Sequence, residues 1–226
     1  MIFFLHGAVG HSSDWDLIIN SLNSFQCESI DLYSYSSENI DVAARKINSL
    51  AGSGDVIVGY SLGARIALQA LLQNDSPWSK AIIISANTGI TDNLSRNVRI
   101  NHDLQWSELC NSNWSRFISD WERQSIFDHS KPIADRKQLM PLKGKISETF
   151  IKWSSGIQPA PITNFDRIKS PTLWITGELD EKYSKIAKLA CEQLPLSQLK
   201  VITNSGHRVP WDNPKDTADA INVFIS

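Results

Sequence analysis

Cysteine is scarce in this sequence, which has three in 226 residues: Cys27, Cys110 and Cys191. They are far apart, their number is odd, and none belongs to a Cys-x-x-Cys pair. Such a set predicts neither a disulfide framework nor a zinc site. Proteins without disulfides are typical of reducing compartments, so we expect this one to work in the cytoplasm.

Long apolar runs and a large excess of one charge are also missing. The 22 Lys and Arg residues nearly balance the 24 Asp and Glu residues, which leaves a net charge of −2. That charge gives no general attraction to nucleic acid or to an anionic membrane. The apolar start, residues 1–5, stops at His6 and is too short for a signal peptide or a membrane span. We expect one domain, with room for an inserted subdomain, as a monomer or a small homo-oligomer without a cofactor or metal.

Short apolar runs alternate with segments in which apolar residues recur at helical spacing. The runs that we predict to be strands are residues 2–5, 27–33, 55–58, 80–85, 171–176 and 198–202. The segments that we predict to be helices are residues 12–24, 40–50, 64–72, 181–193 and 213–224. This alternation predicts an α/β fold with a mostly parallel sheet that is covered by helices on both faces.

The alternation is interrupted between residues 87 and 165. This part is polar, lacks a strong strand signal, and carries the tryptophans Trp106, Trp114, Trp121 and Trp153. We interpret it as a helical cap inserted into an α/β core made of residues 1–86 and 166–226. The cap holds ten Lys and Arg against eight Asp and Glu, a slightly basic balance that favours an anionic substrate. Its tryptophans are expected to pack more often than to contact a ligand.

The most informative stretch is residues 59–63, Gly-Tyr-Ser-Leu-Gly. A β-branched apolar run precedes it and an Ala- and Leu-rich segment follows, so Ser61 is predicted to lie on a sharp turn from a strand into a helix. Gly-x-Ser-x-Gly in that context is the nucleophile elbow, which exposes a serine hydroxyl beside a helix N-terminus. Without the flanking strand and helix the pattern would be weak.

Two later residues complete a possible catalytic triad. Asp180 follows one predicted strand and His207 follows the last one, which places both at the carboxyl edge of the sheet, where such folds bind ligands. A serine hydroxyl needs a histidine to take its proton, and a carboxylate to fix the tautomer of that histidine. Taken singly, Asp180 is typical of a turn and His207 of a surface residue. Together with Ser61, in this chain order, they favour catalysis.

An oxyanion site requires two N–H donors, and the sequence offers two candidates. One is the N–H of Leu62, directly after the nucleophile, and the other is the N–H of Ala8, in the loop after the first strand. For His6, in the same loop, we favour an orienting role that ties loops together over direct catalysis, since His207 already fills the role of base.

Arginines near the nucleophile allow two readings. Arg65 lies four residues after Ser61, on the same side of the helix, in a first turn where the helix dipole opposes a cation. It is either a solvent-facing or salt-bridged side chain, or a group that binds an anionic substrate. Arg96 and Arg99 add further positive charge from the cap.

Several of these motifs resemble one family within the α/β-hydrolase superfamily, the 2-succinyl-6-hydroxy-2,4-cyclohexadiene-1-carboxylate synthases of menaquinone and phylloquinone biosynthesis. The matching pieces span nearly the whole chain: residues 4–7, 59–65, 96–106, 120–121, 177–180 and 206–207. The resemblance implies a lyase that eliminates pyruvate, with Ser61, Asp180 and His207 for the chemistry. It also implies that the substrate-binding residues are Tyr60, Arg65, Arg99 and Trp121.

The sequence departs from this family in three places. The first strand lies directly before His6, so we expect the usual leading strands to be missing and the sheet to have about six strands. Residues 31–35 lack the usual Pro-Gly-x-Gly run. A further cap arginine of the family has no secure counterpart, because the nearest residue is Lys143, and lysine does not replace arginine at a bidentate site.

Two other classes of function remain open from the residues alone. A serine esterase or C–C bond hydrolase would use Ser61 as a covalent nucleophile and would show a burst phase with a p-nitrophenyl ester. A binding protein without catalysis would have no need of the triad, and a fluorophosphonate would fail to label its Ser61.

Overall fold

Six parallel strands form the centre of the protein, whose computed structural model describes residues 1–133 and 136–226. The strands are β1 Ile2–Leu5, β2 Cys27–Ile30, β3 Val56–Tyr60, β4 Lys80–Ile84, β5 Thr172–Gly177 and β6 Ser197–Ile202. They pair in the order β2-β1-β3-β4-β5-β6. The predicted mostly parallel sheet of about six strands is confirmed, with all five pairings parallel.

The inner strands are buried on both faces, as their continuous apolar runs predict. β1 and β3 are buried throughout and pair in register, with Ile2 opposite Val56. β6 lies at the edge of the sheet, where Leu199 and Val201 remain 37% and 43% exposed. The loops after β1, β3 and β5 thus emerge from buried strands, whereas the loop after β6 emerges from the exposed edge of the sheet.

Nine α-helices surround the sheet in the described part of the chain. They are α1 Asp16–Ile19, α2 Ile40–Asn48, α3 Leu62–Leu71, α4 Asn93–Ser112, α5 Trp114–Glu122, α6 Lys143–Lys152, α7 Glu181–Gln193, α8 Val209–Asp212 and α9 Pro214–Ile225. Helices α2, α3 and α7 pack on one face of the sheet. Helices α1 and α9 pack on the other, so both faces are covered. Among the described residues, no helix is long and apolar enough to cross a membrane.

Two predicted elements are shorter than the sequence indicated. The helix expected over residues 12–24 consists of a 3-10 turn, Ser12–Trp15, and the single-turn helix α1. Residues 20–24 contain two Asn and two Ser, which are weak helix formers because their side chains compete for backbone hydrogen bonds. The strand expected over residues 27–33 ends at Ile30, because the Asp31 carboxylate accepts the N–H of Tyr33 at 3.0 Å and starts a 3-10 turn.

The segment between β4 and β5 contains α4, α5 and α6, and no strand in its described part. Its apolar side chains form a cluster of their own, which includes Cys110, Phe117 and Phe150. The helices pack where the carboxyl ends of the strands emerge, and their residues share a cleft with the loops after β1 and β3. The division into a core and an inserted cap over residues 87–165 stays a prediction, and residues 134 and 135 of that range lie outside the described residues.

Candidate active site

Ser61 occupies a backbone conformation that few non-glycine residues adopt, with φ 50° and ψ −107°. The turn is tight on both sides. A Cβ on Gly59 would lie 2.6 Å from the Cα of Ala64, and one on Gly63 would lie 2.7 Å from the carbonyl oxygen of His6. The two glycines therefore let α3 fold back against β3 and β1. The N–H of Ser61 donates to the Ile84 carbonyl at 2.9 Å, which anchors the strained residue to β4.

The structure brings Asp180 and His207 to Ser61. Nδ1 of His207 lies 2.7 Å from Oδ2 of Asp180, and Nε2 of His207 lies 3.3 Å from Oγ of Ser61. The other carboxylate oxygen of Asp180 accepts the N–H of Tyr183 at 3.2 Å and so caps α7. The two loops that carry Asp180 and His207 follow β5 and β6, as the sequence predicted.

Burial and charge act on His207 in opposite directions. The residue is 2% exposed, and this burial lowers the pKa of His207, while the hydrogen bond that its Nδ1 donates to Asp180 works to raise that pKa. A carboxylate that accepts from Nδ1 leaves Nε2 without a proton. The neutral ring can then take the proton of the Ser61 hydroxyl, so the arrangement is suited to general-base chemistry.

The N–H groups of Ala8 and Leu62 donate to no other atom in residues 1–133 and 136–226. Leu62 begins α3, where backbone N–H groups have no partner within the helix. The loop that carries Ala8 runs against the elbow, because a Cβ on Gly7 would lie 3.7 Å from the Cβ of Ser61. Both donors line the same cleft as Ser61, which supports their proposed role as an oxyanion pair.

His6 ties two loops together, the role that we favoured for it. Its Nδ1 lies 2.9 Å from the Gly7 carbonyl, and its Nε2 accepts the N–H of Leu32 at 3.1 Å. Because Nε2 accepts, we assign the proton to Nδ1, which donates to Gly7. Complete burial lowers the pKa of His6 and keeps the ring neutral, as this pattern requires.

A cleft between the sheet and the helices α4–α6 holds most of the predicted residues. It is lined by Ser61 and His207, by the oxyanion candidates Ala8 and Leu62, and by the predicted substrate residues Tyr60, Arg65, Arg99 and Trp121. Asp180 lies behind His207 and does not line it. The structure thus brings eight of the nine predicted site residues to one cavity.

Arg65 is buried and forms no salt bridge within the described part of the chain, so the first of the two readings of this residue is wrong. Its side chain is buried, and its Nε donates to Oε1 of Gln158 at 2.8 Å. Its Nη2 donates to the same oxygen and to the carbonyl of Trp153. These partners are neutral, and burial lowers the pKa of Arg65 to about 10. The positive charge of Arg65 therefore faces the cleft, and no carboxylate of residues 1–133 and 136–226 lies at hydrogen-bond distance.

The other cationic candidates differ from Arg65. Arg99 lines the cleft, and its Nε donates to Asp103 at 2.8 Å. Arg96 donates to the carbonyl of Ile90 at 3.4 Å and does not line the cleft. Lys143 is also absent from the cleft lining and donates to the carbonyl of Asn111 at 3.2 Å, so the structure does not place it where a further anion-binding group would act.

The sequence reasoning missed several residues of the cleft. Asp103 stands four residues after Arg99, a helical spacing that would have predicted their ion pair. Tyr183 lines the cleft and its ring centroid lies 4.4 Å from that of His207. Gln158 does not line the cleft but holds Arg65 from 93 residues away, and nothing in the local pattern connects the two. Of the tryptophans, Trp106, Trp121 and Trp153 line the cleft.

A network of polar contacts fastens the segment after α5 to the loop that carries His207. The Asp212 carboxylate accepts from the Ser130 hydroxyl at 2.9 Å, from the Lys131 N–H at 2.7 Å and from the Gly206 N–H at 2.9 Å. Beside it, Arg208 pairs with Glu122. The position of His207 therefore depends on contacts with the predicted cap.

The sequence of the chain also matches a known protein family. The sequence model described as the alpha/beta hydrolase family matches residues 2–220 of the chain. The chain belongs to the alpha/beta hydrolase family. This α/β-hydrolase has a parallel sheet with a serine at the elbow after β3, an acid after β5 and a histidine after β6.

One relative and two solved structures resemble this α/β-hydrolase over nearly its whole length. The 2-succinyl-6-hydroxy-2,4-cyclohexadiene-1-carboxylate synthase of Serratia proteamaculans is 24% identical over 99% of this chain and 92% of its own. The structure of MenH from S. aureus, 23% identical, covers 99% of this chain and 92% of its own with a TM-score of 0.89. An esterase from Thermogutta terrifontis, 15% identical, covers 99% and 88% with a TM-score of 0.79. The two structures demonstrate the shared fold.

Proposed function

We propose that this α/β-hydrolase is a lyase that removes pyruvate from 2-succinyl-5-enolpyruvyl-6-hydroxy-3-cyclohexene-1-carboxylate. The product is 2-succinyl-6-hydroxy-2,4-cyclohexadiene-1-carboxylate, the compound in the name of its Serratia relative. The observation that carries the proposal is the joint placement in one cleft of Ser61, His207 and Arg65, an arginine whose hydrogen-bond partners are neutral. A base beside an anion site suits proton removal from a carboxylate-bearing substrate.

The reaction begins with the serine acting as a base. Nε2 of His207 takes the proton of Ser61, and Asp180 stabilises the imidazolium that forms. Oγ of Ser61 then removes the proton from ring carbon C2 of the substrate. That carbon is acidic because it carries the succinyl group, whose ketone accepts the electrons as an enolate. This step needs no acyl-enzyme.

The positions of the double bonds in the substrate and in the product define the rest of the electron flow. The electrons of the C2–H bond form a C2=C3 bond, the C3=C4 bond of the substrate moves to C4=C5, and the C5–O bond breaks. The leaving oxygen departs as the enolate of pyruvate, which takes up a proton. The N–H groups of Ala8 and Leu62 are proposed to hold the developing enolate oxygen of the succinyl ketone.

The charge of the cleft supports an anionic substrate. The substrate carries several carboxylates, and the Arg65 guanidinium has only neutral protein partners. Charge-assisted hydrogen bonds to a carboxylate are about twice as strong as neutral ones. Arg99, Tyr60 and Trp121 are proposed to complete the substrate site from the walls of the cleft. The three cysteines are free thiols, which agrees with our proposal that the protein works in the cytoplasm.

A direct assay tests this proposal. Purified protein is incubated with the enolpyruvyl substrate, and pyruvate is measured through lactate dehydrogenase and NADH oxidation. We expect turnover by the unaltered protein and loss of at least about 10³-fold for Ser61→Ala, since triad residues act as a unit. Absence of pyruvate from the unaltered protein would falsify the assignment.

A second candidate is a serine hydrolase, which the esterase likeness and the unpartnered N–H groups of Ala8 and Leu62 favour. In that case Ser61 would attack the carbonyl carbon of an ester, or of a ketone whose adjacent C–C bond is then cleaved, and would form an acyl-enzyme. Turnover of p-nitrophenyl acetate with a burst equal to the enzyme concentration would support it. Pyruvate release without such a burst would favour the lyase.

A further inference from the structure

Asp103 is a buried carboxylate on α4 that lines the cleft and is 1% exposed. Its Oδ2 accepts the Nε–H of Arg99 at 2.8 Å. Its Oδ1 is buried and has no hydrogen-bond partner within the described residues. A buried acceptor without a donor is costly, and nearly all such atoms in folded proteins have one. We therefore expect a bound ligand to donate a hydrogen bond to Oδ1.

Charge limits the chemistry of that donor. A substrate carboxylate has no proton to give and would be repelled by Asp103, so the group that meets Oδ1 must be a neutral donor such as a hydroxyl. Arg65 lies close enough for the charges of Arg99 and Asp103 to affect its pKa. Because Arg65 has only neutral partners, it attracts an anion to the same region of the cleft.

One ligand feature satisfies both demands, a hydroxyl group close to a carboxylate. The hydroxyl would meet Asp103 while the carboxylate would meet Arg65. Two more buried groups of the cleft lining have no hydrogen-bond partner within the described residues, Oγ of Ser155 and Nε1 of Trp106, as expected of a region that a polar part of a ligand completes. The product named for the Serratia relative has this feature, since its hydroxyl on C6 neighbours its carboxylate on C1.

The geometry points to Asp103 as a specificity-determining residue whose Oδ1 accepts the ring hydroxyl of the substrate, next to the carboxylate on Arg65. This inference rests on the proposed function for the identity of the ligand. It adds a subsite that selects hydroxylated ring acids over ring acids without the hydroxyl. Arg99 holds the other oxygen and so fixes the orientation of the carboxylate group.

The unaltered protein provides the first test. 2-Succinylbenzoate is the product less one molecule of water, and it lacks the ring hydroxyl while it keeps both carboxylates and the succinyl ketone. Dissociation constants of the two compounds are measured by titration calorimetry. We expect the product to bind at least about tenfold more tightly, as a hydrogen bond to a charged group implies. Equal affinities would overturn the inference.

Asp103→Asn then tests the residue itself. The amide can still accept from Arg99, but it offers the hydroxyl only a neutral partner, so the affinity ratio should fall to about threefold or less. Asp120→Asn is the matched control, because Asp120 also pairs with an arginine one helical turn away, Arg116, but the two side chains are 32% and 70% exposed. In Asp120→Asn the ratio of the two affinities should equal that of the unaltered protein. An unchanged ratio in folded Asp103→Asn would refute the assignment, and if that variant does not fold, the unaltered protein decides.

Pyruvate release separates this inference from the proposed function. Release without a preference for the hydroxylated ligand would remove the role of Asp103 and leave the elimination standing. A preference without pyruvate release would keep the hydroxyl subsite and remove the elimination. Because affinity is measured without turnover, each result bears on one claim alone.

Discussion

Glu122 and Arg208 form a two-point ion pair between the end of α5 and the residue after His207. Nη1 and Nη2 of Arg208 lie 2.8 and 2.7 Å from the two carboxylate oxygens of Glu122. The guanidinium carbon also lies 3.8 Å from the ring centroid of Phe127, and Arg208 is only 2% exposed. The loop that presents His207 is thereby fixed from the side of the predicted cap.

Glu122→Gln tests the importance of this pair. The variant leaves a buried guanidinium opposite a neutral amide, and we expect a loss of about 2 kcal/mol in the free energy of unfolding. For a chain of this size that corresponds to about 4–8 °C in Tm. Pyruvate release should fall several-fold because His207 becomes less well positioned. Thermal unfolding and steady-state kinetics measure both effects.

Glu181→Gln serves as the control for that experiment. Its ion pair with Lys185 joins two side chains that are 84% and 77% exposed, and such pairs contribute little to stability. We expect Tm and kcat close to those of the unaltered protein. Equal effects of the two substitutions would contradict the role given to Glu122.

The pH dependence of activity follows from the environment of His207. The base must be neutral, and burial lowers the pKa of His207 below its ordinary value of 6.5. The acidic limb of kcat/KM should therefore lie below pH 6.5, with a plateau above it. A neutral buried histidine also stabilises the fold above that pH, and this contribution is lost as pH falls through the lowered pKa. A limb above pH 6.5 would contradict this account.

Much of the candidate site could be predicted because its signals are local. The elbow is five consecutive residues, and Asp180 and His207 each follow an apolar strand in the chain order of the family. The buried strands were visible as apolar runs. The end of β2 was not, because the carboxylate of Asp31 turns the chain while the residues after it remain apolar.

The rest of the site depends on pairings between distant residues. Gln158 is the neutral partner of Arg65 from 93 residues away, and Arg208 meets Glu122 across 86 residues. The composition of each segment is equally consistent with side chains that are exposed to solvent. The sequence alone therefore identified Arg65 and Arg99 but missed Asp103, and it did not show which arginine has a carboxylate as its partner.

Gln158→Glu is predicted to weaken substrate binding while leaving the fold intact. A carboxylate at this position would pair with Arg65 and neutralise the charge that faces the cleft. We expect KM for pyruvate release to rise by at least about tenfold, because the substrate then loses a charge-assisted contact. A purely structural role for Gln158 would instead leave KM unchanged, since Arg65 would still be held.

The same change of charge at Gln73 is the control for Gln158→Glu. Gln73 lies just beyond the end of α3, and its amide donates to the Gln69 carbonyl at 3.3 Å. It does not line the cleft. Gln73→Glu should keep KM within about twofold, and a comparable rise in both variants would point to a long-range effect of charge.

Alanine substitutions at two helical glycines, Gly63 and Gly144, should change the free energy of unfolding in opposite directions and so test the elbow. A Cβ on Gly63 would lie 2.7 Å from the His6 carbonyl oxygen, whereas a Cβ on Gly144 in α6 would meet nothing within 4 Å. Gly144→Ala should raise the free energy of unfolding by about 0.4–1 kcal/mol, because alanine restricts the unfolded chain. Gly63→Ala should destabilise the protein, since β1 and α3 must separate, and should displace the Ala8 N–H from Ser61. Denaturant unfolding measures both, and a neutral Gly63→Ala with full pyruvate release would show that the close approach of α3 to β1 is not needed.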